Sequence, residues 1–321
     1  MNITTFSYSK AFKKEEKTIS NPIGFDVLVE IKAISVNPID TKVKKNIPNG
    51  KSRILGWDAA GVIVEVGDKV EDFKKGDKVF YAGMLNRDGS NATHQLVDSR
   101  IIALKPESLS FTESAALPLT TLTAYEGLFD RLNISKDPKD NKEKSILIIN
   151  GAGGVGSIAI QLAKVAGLKV IATSSRKETK AWALKMGADQ VVNHHDDYVI
   201  DPVDYIYCLH TLDMHLKKMS EVIKPFGKIC AIVDSQDPLD MNILKQKSVS
   251  FSWEFMFTHG NFHVDLEKQG QALKAVSKLI DAHKITSTLY QELSPLNEET
   301  LSKAHEIIES NQSIGKLVII K

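Results

Sequence analysis

The stretch from Ser145 to Arg176, SILIINGAGGVGSIAIQLAKVAGLKVIATSSR, leaves this chain few folds to choose from. It opens on Ile146-Leu147-Ile148-Ile149, an apolar run too short for a helix and rich in β-branched residues. That composition suits a parallel strand buried on both faces. Asn150 and Gly151 break the run. Gly151, Gly153 and Gly156 then satisfy G-x-G-x-x-G, and helical spacing follows at Ile158, Leu162, Val165 and Ala166. A second apolar strand, Val170-Ile171-Ala172, completes a βαβ unit with glycines at its first turn. Gly151 lets the chain turn sharply out of the strand. Gly153 and Gly154 carry no side chain that would hold a pyrophosphate away from the backbone. Gly156 lets the helix pack close to the strand. The first helical amides, that of Val155 among them, offer N–H groups and a partial positive charge to phosphates. A lone G-x-G-x-x-G says little, but one set between a buried strand and an amphipathic helix is specific for a dinucleotide. The alternative is a glycine-rich turn that binds nothing.

The end of the second strand selects the cofactor. A site for NAD usually places an acidic residue there to accept from the ribose 2′-OH. Here Thr173 is followed by Ser174, Ser175, Arg176 and Lys177. Hydroxyls and two cations suit a 2′-phosphate, so NADPH is the expected cofactor. One charge-assisted contact is worth about 1.5–3 kcal/mol, roughly a ten- to hundredfold preference. The alternative is that Arg176 and Lys177 merely begin a solvated helix.

With 321 residues, 42% hydrophobic and 25% charged, the chain has room for two globular domains. A net charge of +1 gives no broad footprint for nucleic acid or a membrane surface. The N-terminal MNITTFSYSKAFKKEEK lacks the apolar core of a signal peptide, and no run approaches the ~20 apolar residues of a spanning helix. Cys208 and Cys230 both fall in apolar runs, which makes two buried thiols the default. Together these features lead us to expect a cytoplasmic protein acting on a small-molecule substrate.

Up to about Thr120 the pattern is mostly β. Val27–Ile31 alternates, and Gly61–Gly67 and Gly76–Tyr81 are strands punctuated by Gly, Asp and Lys turns, as in a small barrel. Helical spacing begins at Phe111 and is interrupted by Pro118. After Arg176 the alternation resumes. We expect a helix from Glu178 to Met186 closed by Gly187, strands at Gln190–Val192 and Tyr205–Leu209, and a helix from Met214 to Ile223 stopped by Pro225-Phe226-Gly227. Strands at Lys228–Val233 and Val249–Phe257 would complete the sheet. Two helices, Leu266–Ala282 and Asn297–Ser310, and a last strand, Leu317–Ile320, would return to the first domain. The fold class is α/β: a doubly wound Rossmann domain over 121–265 and a β-rich, barrel-like domain over 1–120 and 266–321.

The motifs SVNPID (Ser35–Asp40), GWDAAGVIVEVG (Gly56–Gly67), GDKVFYAG (Gly76–Gly83), LPLTTLTAYEGL (Leu117–Leu128), NGAGGVGSIAIQLAK (Asn150–Lys164) and SIGKLVI (Ser313–Ile319) occur in that order. Over almost its whole length the chain thus resembles the medium-chain dehydrogenase/reductase superfamily, and in particular its quinone oxidoreductase branch. The loop NRDGSNATHQLV (Asn86–Val97) is most similar to the bacterial zinc-type alcohol dehydrogenase-like proteins. The resemblance implies a GroES-like substrate domain and a homodimer formed through the last cofactor-domain strand.

It also frames the question of zinc. Zinc-dependent relatives take one catalytic ligand from a Cys where Asn37 stands here, and another from Gly-His-Glu where this chain has Gly56-Trp57-Asp58. The structural zinc lobe needs four clustered cysteines, and no cysteine precedes Cys208. Asp40 and Asp58 alone make a poor zinc site, so no metal is expected. His194-His195-Asp196-Asp197 is ligand-rich, but adjacent side chains are expected to diverge, as in a solvated turn. By resemblance His194 lies where relatives put an aromatic near the adenosine phosphate. His259 and His263 have i, i+4 spacing, yet Gly260-Asn261 favours a loop over a metal-binding helix.

Without a metal, several kcal/mol of charge stabilisation at a carbonyl is lost. Acceptors already electrophilic need less help, so quinones and α,β-unsaturated carbonyls are the expected substrates. By resemblance, Asn37 and Asp40 orient nicotinamide ribose or substrate oxygen, Thr123 lies beside the nicotinamide, and Lys316 reaches the cofactor. Turn capping is the alternative for the first two, a helix-face hydroxyl for Thr123 and a surface lysine at a strand start for Lys316. Tyr81 is the candidate acid, with packing in the barrel as its alternative. Two other readings of the chain remain: a zinc alcohol dehydrogenase with unusual ligands, and a nucleotide-binding redox sensor with little catalysis.

Overall fold

The computed structural model describes residues 1–196 and 198–321. The chain divides into two compact units, one of Met1–Leu122 with Phe257–Lys321 and one of Thr123–Met256.

The first unit starts with strands β1 (Asn2–Tyr8), β2 (Phe12–Thr18) and β3 (Asp26–Val36), helix α1 (Pro38–Lys45), and strands β4 (Arg53–Ile54), β5 (Asp58–Val66), β6 (Lys78–Ala82), β7 (His94–Asp98) and β8 (Ile102–Leu104). The short helix α2 (Phe111–Ala115) follows, and α3 (Pro118–Tyr125) starts at the proline that interrupts the helical pattern. Proline suits a first helical turn because the missing N–H has no partner there anyway.

The second unit continues as a π-helical turn, Glu126–Arg131, and then β9 (Ser145–Ile149), α4 (Gly154–Val165), β10 (Lys169–Thr173), α5 (Lys177–Lys185), β11 (Gln190–Val192), β12 (Val203–Cys208), α6 (Leu212–Val222), β13 (Ile223–Ala231) and β14 (Ser250–Trp253). The chain returns to the first unit with α7 (Thr258–Phe262), α8 (Glu267–Asp281), β15 (Leu289–Leu293), α9 (Glu298–Glu309) and β16 (Lys316–Ile320).

The first unit holds a seven-stranded sheet ordered β15-β16-β3-β5-β6-β8, with β7 also paired to β3, and a three-stranded sheet ordered β2-β1-β4. The second unit holds a six-stranded sheet ordered β11-β10-β9-β12-β13-β14. All five of its pairings are parallel. The order reverses at β9, which is the doubly wound topology expected from the sequence. Every residue of β9 is buried, and each Ile or Leu removed from water there contributes about 1.5–3 kcal/mol. Among the described residues no helix is long and apolar enough to cross a membrane.

Several element boundaries differ from the sequence expectation. The strand expected to begin at Lys228 begins at Ile223 and takes in Pro225-Phe226-Gly227, with a shifted register against β12 and Phe226 at φ 61°. The irregularity absorbs a proline that a regular ladder would reject. The strand expected to run to Phe257 ends at Trp253. Gly260-Asn261 does not open a loop: α7 spans them, and His263 follows in the left-handed region at φ 53°. A Cβ on Gly260 would meet Met84 Cγ at 3.0 Å, a tight contact with a flexible side chain. Helix α1 and strand β15 were not anticipated.

Candidate functional site

In the second unit the carboxyl ends of β9, β10 and β11 are tied together. Asn150, at φ 66°, donates its N–H to Thr173 Oγ1 at 3.0 Å, and Gly151 N–H bonds Thr173 O at 3.0 Å. Ser174 N–H bonds Val192 O at 3.0 Å. The glycine turn, the Ser174–Lys177 segment and the start of the His194 turn therefore share one edge of the sheet. The turn is tight in the way its glycines require. A Cβ on Gly151 would lie 2.6 Å from Ala172 Cβ, and one on Gly156 would lie 2.4 Å from Asn150 O. Gly153 caps α4, and Gly153, Gly154 and Val155 are half-buried, open to a ligand. Ser174 is 7% exposed, and its Oγ has no hydrogen-bond partner among the described residues. A buried hydroxyl left unpaired costs about 1–3 kcal/mol, and a ligand oxygen would satisfy it. Ser175, Arg176 and Lys177 are exposed beside it. A cradle of bare backbone, a helix N-terminus and these donors fit a nicotinamide dinucleotide.

Thr123 is the first residue of the second unit. Its carbonyl accepts from Tyr207 Oη at 2.6 Å. Nearby, Glu254 is 2% exposed and accepts from Arg131 Nε at 2.9 Å. Glu126 shares a hydrogen bond with it, and burial raises the Glu254 carboxyl above its usual range.

The first unit assembles Asn37, Asp40, Asp58 and Lys316. Asn37 precedes α1, and its N–H bonds Asp40 Oδ2 at 2.9 Å, capping the helix. Asn37 Nδ2 donates to Asp58 Oδ2 at 2.8 Å. Lys316, the first residue of β16, donates Nζ to Asn37 Oδ1 and, at 3.0 Å, to Asp58 Oδ2. Asp58 Oδ1 accepts from Leu119 N–H at 2.7 Å. All four side chains are buried, Lys316 at 3% exposed. Asp40 keeps an Oδ1 with no partner among the described residues. Burial pushes its carboxyl up to about 7, opposed by the Asn37 N–H and the Lys316 ammonium. Lys316 is thus an interior cation inside its own unit, not a surface lysine.

Tyr81 is fully buried in β6, and its hydroxyl donates to Gln95 Oε1 at 2.9 Å. Burial pushes it far above the usual phenol range, so its geometry is that of a packed core residue. Cys208 and Cys230 are buried free thiols, each pushed up to about 12 by burial.

The adjacent rings of His194 and His195 do not diverge: they meet edge-on with centroids 4.4 Å apart. His194 also faces His215, which is out of reach of local sequence reading, at 6.0 Å. Asp197 lies outside the described residues. His259 Nδ1 is 2.7 Å from Val264 O, and His263 is exposed.

Family models described as "Alcohol dehydrogenase GroES-like domain" and "Zinc-binding dehydrogenase" match residues 24–109 and 186–319. The chain is 45% identical over 316 residues to a zinc-type alcohol dehydrogenase-like protein of Staphylococcus epidermidis, covering 96% of this chain and 94% of that one. It is 30% identical over 306 residues to an Arabidopsis thaliana protein named NADPH-dependent alkenal/one oxidoreductase, covering 91% and 71%. The crystal structure of a putative zinc-dependent alcohol dehydrogenase from Rhizobium etli superposes with a TM-score of 0.94 at 39% identity, covering 100% of this chain and 98% of that one.

The residues around Asn37 do not fit the zinc those names suggest. Its amide oxygen and Asp58 Oδ2 already accept from the Lys316 ammonium. Trp57, where a histidine ligand would stand, is fully buried and donates Nε1 to Met84 O at 3.0 Å. Among the described residues no three His, Cys, Asp or Glu side chains group so as to hold a metal ion. A site with neither thiolate nor imidazole, and with a resident cation, repels a second one.

Proposed function

Because the chain belongs to the medium-chain dehydrogenase/reductase superfamily and is one of its oxidoreductases, we propose that it is an NADPH-dependent reductase of quinones or α,β-unsaturated carbonyls that works without zinc. The observation that carries this reading is the unpartnered, buried Ser174 Oγ beside Arg176 and Lys177, at the edge where the glycine turn opens. The name of the Arabidopsis relative supports the same cofactor and acceptor class.

When bound, the dinucleotide supplies the hydride. Gly154 and Val155 would present backbone amides to its pyrophosphate, Gly153, whose N–H bonds Asn150 O at 3.3 Å, would leave room for its approach, and Ser174, Ser175, Arg176 and Lys177 would take the 2′-phosphate. Thr123 is held through its carbonyl by Tyr207 and is proposed to border the nicotinamide. Asn37 and Asp40 are proposed to orient the acceptor oxygen. Asp40, with its carboxyl raised to about 7, is protonated in about half of the molecules at neutral pH and would give that proton to an enolate or quinol oxygen, with water replacing it. Lys316 supports the pair electrostatically through Asn37 and Asp58. The protein contributes positioning and a dry, preorganised surround.

We further propose a cytoplasmic homodimer paired through β14. That strand is the last in its sheet, and Trp253 is 49% exposed on it.

Initial rates of NADPH oxidation with a panel of quinones, enals, enones and simple ketones test the reading. Turnover of the conjugated acceptors, with simple ketones at least about tenfold slower, is the expected pattern, since they lack the built-in electrophilicity that replaces a Lewis acid. Tight NADPH binding with no turnover would instead identify a redox sensor.

A further inference from the structure

Four histidines gather at the carboxyl edge of the second unit. His194 and His195 come from the turn after β11, His210 follows β12, and His215 lies in the first turns of α6. Beyond the ring contacts at 4.4 and 6.0 Å, His194 Nδ1 is buried without a hydrogen-bond partner among the described residues. Ser174 Oγ, one strand away through the Ser174–Val192 backbone bond, is in the same condition. Two unpartnered polar atoms on adjoining strand ends, next to Arg176, point to a polyanionic ligand rather than to packing.

The charges around the cluster are sparse. Asp213 on α6 is the carboxylate that acts on His215, and Asp196 is exposed. Cys208 donates its thiol to His210 O at 3.3 Å and stays neutral. Tyr198 carries Lys218 over its ring at 5.1 Å. Burial, and then the neighbouring imidazoles, hold His194 below the usual imidazole range, and the same causes bring His215 to about 4. Burial alone lowers His210. The imidazoles therefore repel one another's protons, and the Asp213 carboxylate opposes this only in part at His215. A phosphate dianion beside them removes that repulsion.

We propose that this histidine cluster is a proton-linked counter-charge for the 2′-phosphate: a proton moves from solvent onto the imidazoles when a 2′-phosphorylated dinucleotide binds, and none moves when the ribose carries a bare hydroxyl. The proposal rests on the cofactor reading above and adds a pH-dependent part to the cofactor preference. That preference sharpens as the solution becomes more acidic, because histidine titrates closest to neutrality.

Calorimetry with NADP⁺ and NAD⁺, which carry the same contrast and tolerate acid, tests it. At pH 7.5 the 2′-phosphate is already mostly dianionic. Titration in two buffers of different ionisation enthalpy then counts protons taken up by the protein. The expected result is uptake of about half a proton with NADP⁺ and none with NAD⁺, with NADP⁺ affinity rising about threefold from pH 8 to pH 7. His194→Gln should reduce the uptake, and removing His195, His210 and His215 as well should abolish it. Binding of NADP⁺ without proton uptake overturns the histidine proposal and leaves the cofactor reading standing. Failure of both dinucleotides to bind overturns both.

Discussion

The Lys316 ammonium lies 3.0 Å from Asp58 Oδ2 with 3% of the lysine side chain and none of the aspartate exposed. Two charges so far from water are tolerated because each has further partners. Asn37 bridges them, and Leu119 N–H holds the other carboxylate oxygen. Removing one member strands the other, which costs about 3–5 kcal/mol. Lys316→Met should therefore lower the unfolding free energy by that amount in urea titration. Lys316→Met with Asp58→Asn should recover part of it, since the amide oxygen still accepts from Leu119. A loss below about 1 kcal/mol would mean that the pair is solvated.

Gly156 cannot carry a side chain. Its Cβ would meet Asn150 O at 2.4 Å and the Gly151 backbone at 2.7 Å, and neither is a flexible end that could move aside. Gly156→Ala should cost about 1–3 kcal/mol of stability and weaken dinucleotide binding at least about tenfold, because the turn must open. Unchanged binding by calorimetry would detach the turn from the cofactor.

His305 is 1% exposed, meets Phe12 edge-on at 5.0 Å, and has neither ring nitrogen hydrogen-bonded among the described residues. Burial, with Lys44 nearby, brings it to about 4. The unfolded chain binds this proton below about 6.5 while the folded chain does so only near 4. Stability should fall as pH drops through that window, by up to about 1.4 kcal/mol per unit. His215, also brought to about 4, acts in the same direction. His305→Leu should gain stability over the wild type at pH 5 beyond any difference at pH 8, read from urea midpoints.

Asp40 has the opposite sign. Its folded carboxyl is raised to about 7, so the folded chain holds the proton more tightly. The stability it contributes is present below about 4 and lost as pH rises through 7. Asp40→Asn keeps the cap to Asn37 and should be more stable than the wild type at pH 8 and similar to it at pH 5. It should also slow turnover if Asp40 holds the transferred proton.

The sequence exposed the Rossmann half of the molecule well because its signals are local. Gly151, Gly153 and Gly156 act within a few residues of their own positions, and the apolar run Ile146–Ile149 declares its burial by composition. Helix α7 escaped because Gly260 was read as a breaker, whereas it lies within the helix, close to Met84 of a distant loop. Strand β15 escaped because Leu289–Leu293 is largely exposed and has no alternating pattern, and only its pairing with β16 makes it a strand. The partnership of Lys316 with Asp58 spans 258 residues. Nothing near either residue announces it. The histidine cluster was hidden for the same reason: His194 and His195 are visible as a pair, but His210 and His215 join them only through the strand order.

The central claim is that this chain moves hydride to a conjugated acceptor without a metal. The direct test uses protein treated with a chelator and shown to be metal-free, incubated with NADPH deuterated at C4 and an α,β-unsaturated ketone. Mass spectrometry of the product should find the deuterium at the β-carbon, at a rate equal to that of untreated protein. Loss of transfer on metal removal, restored by zinc, would contradict the account.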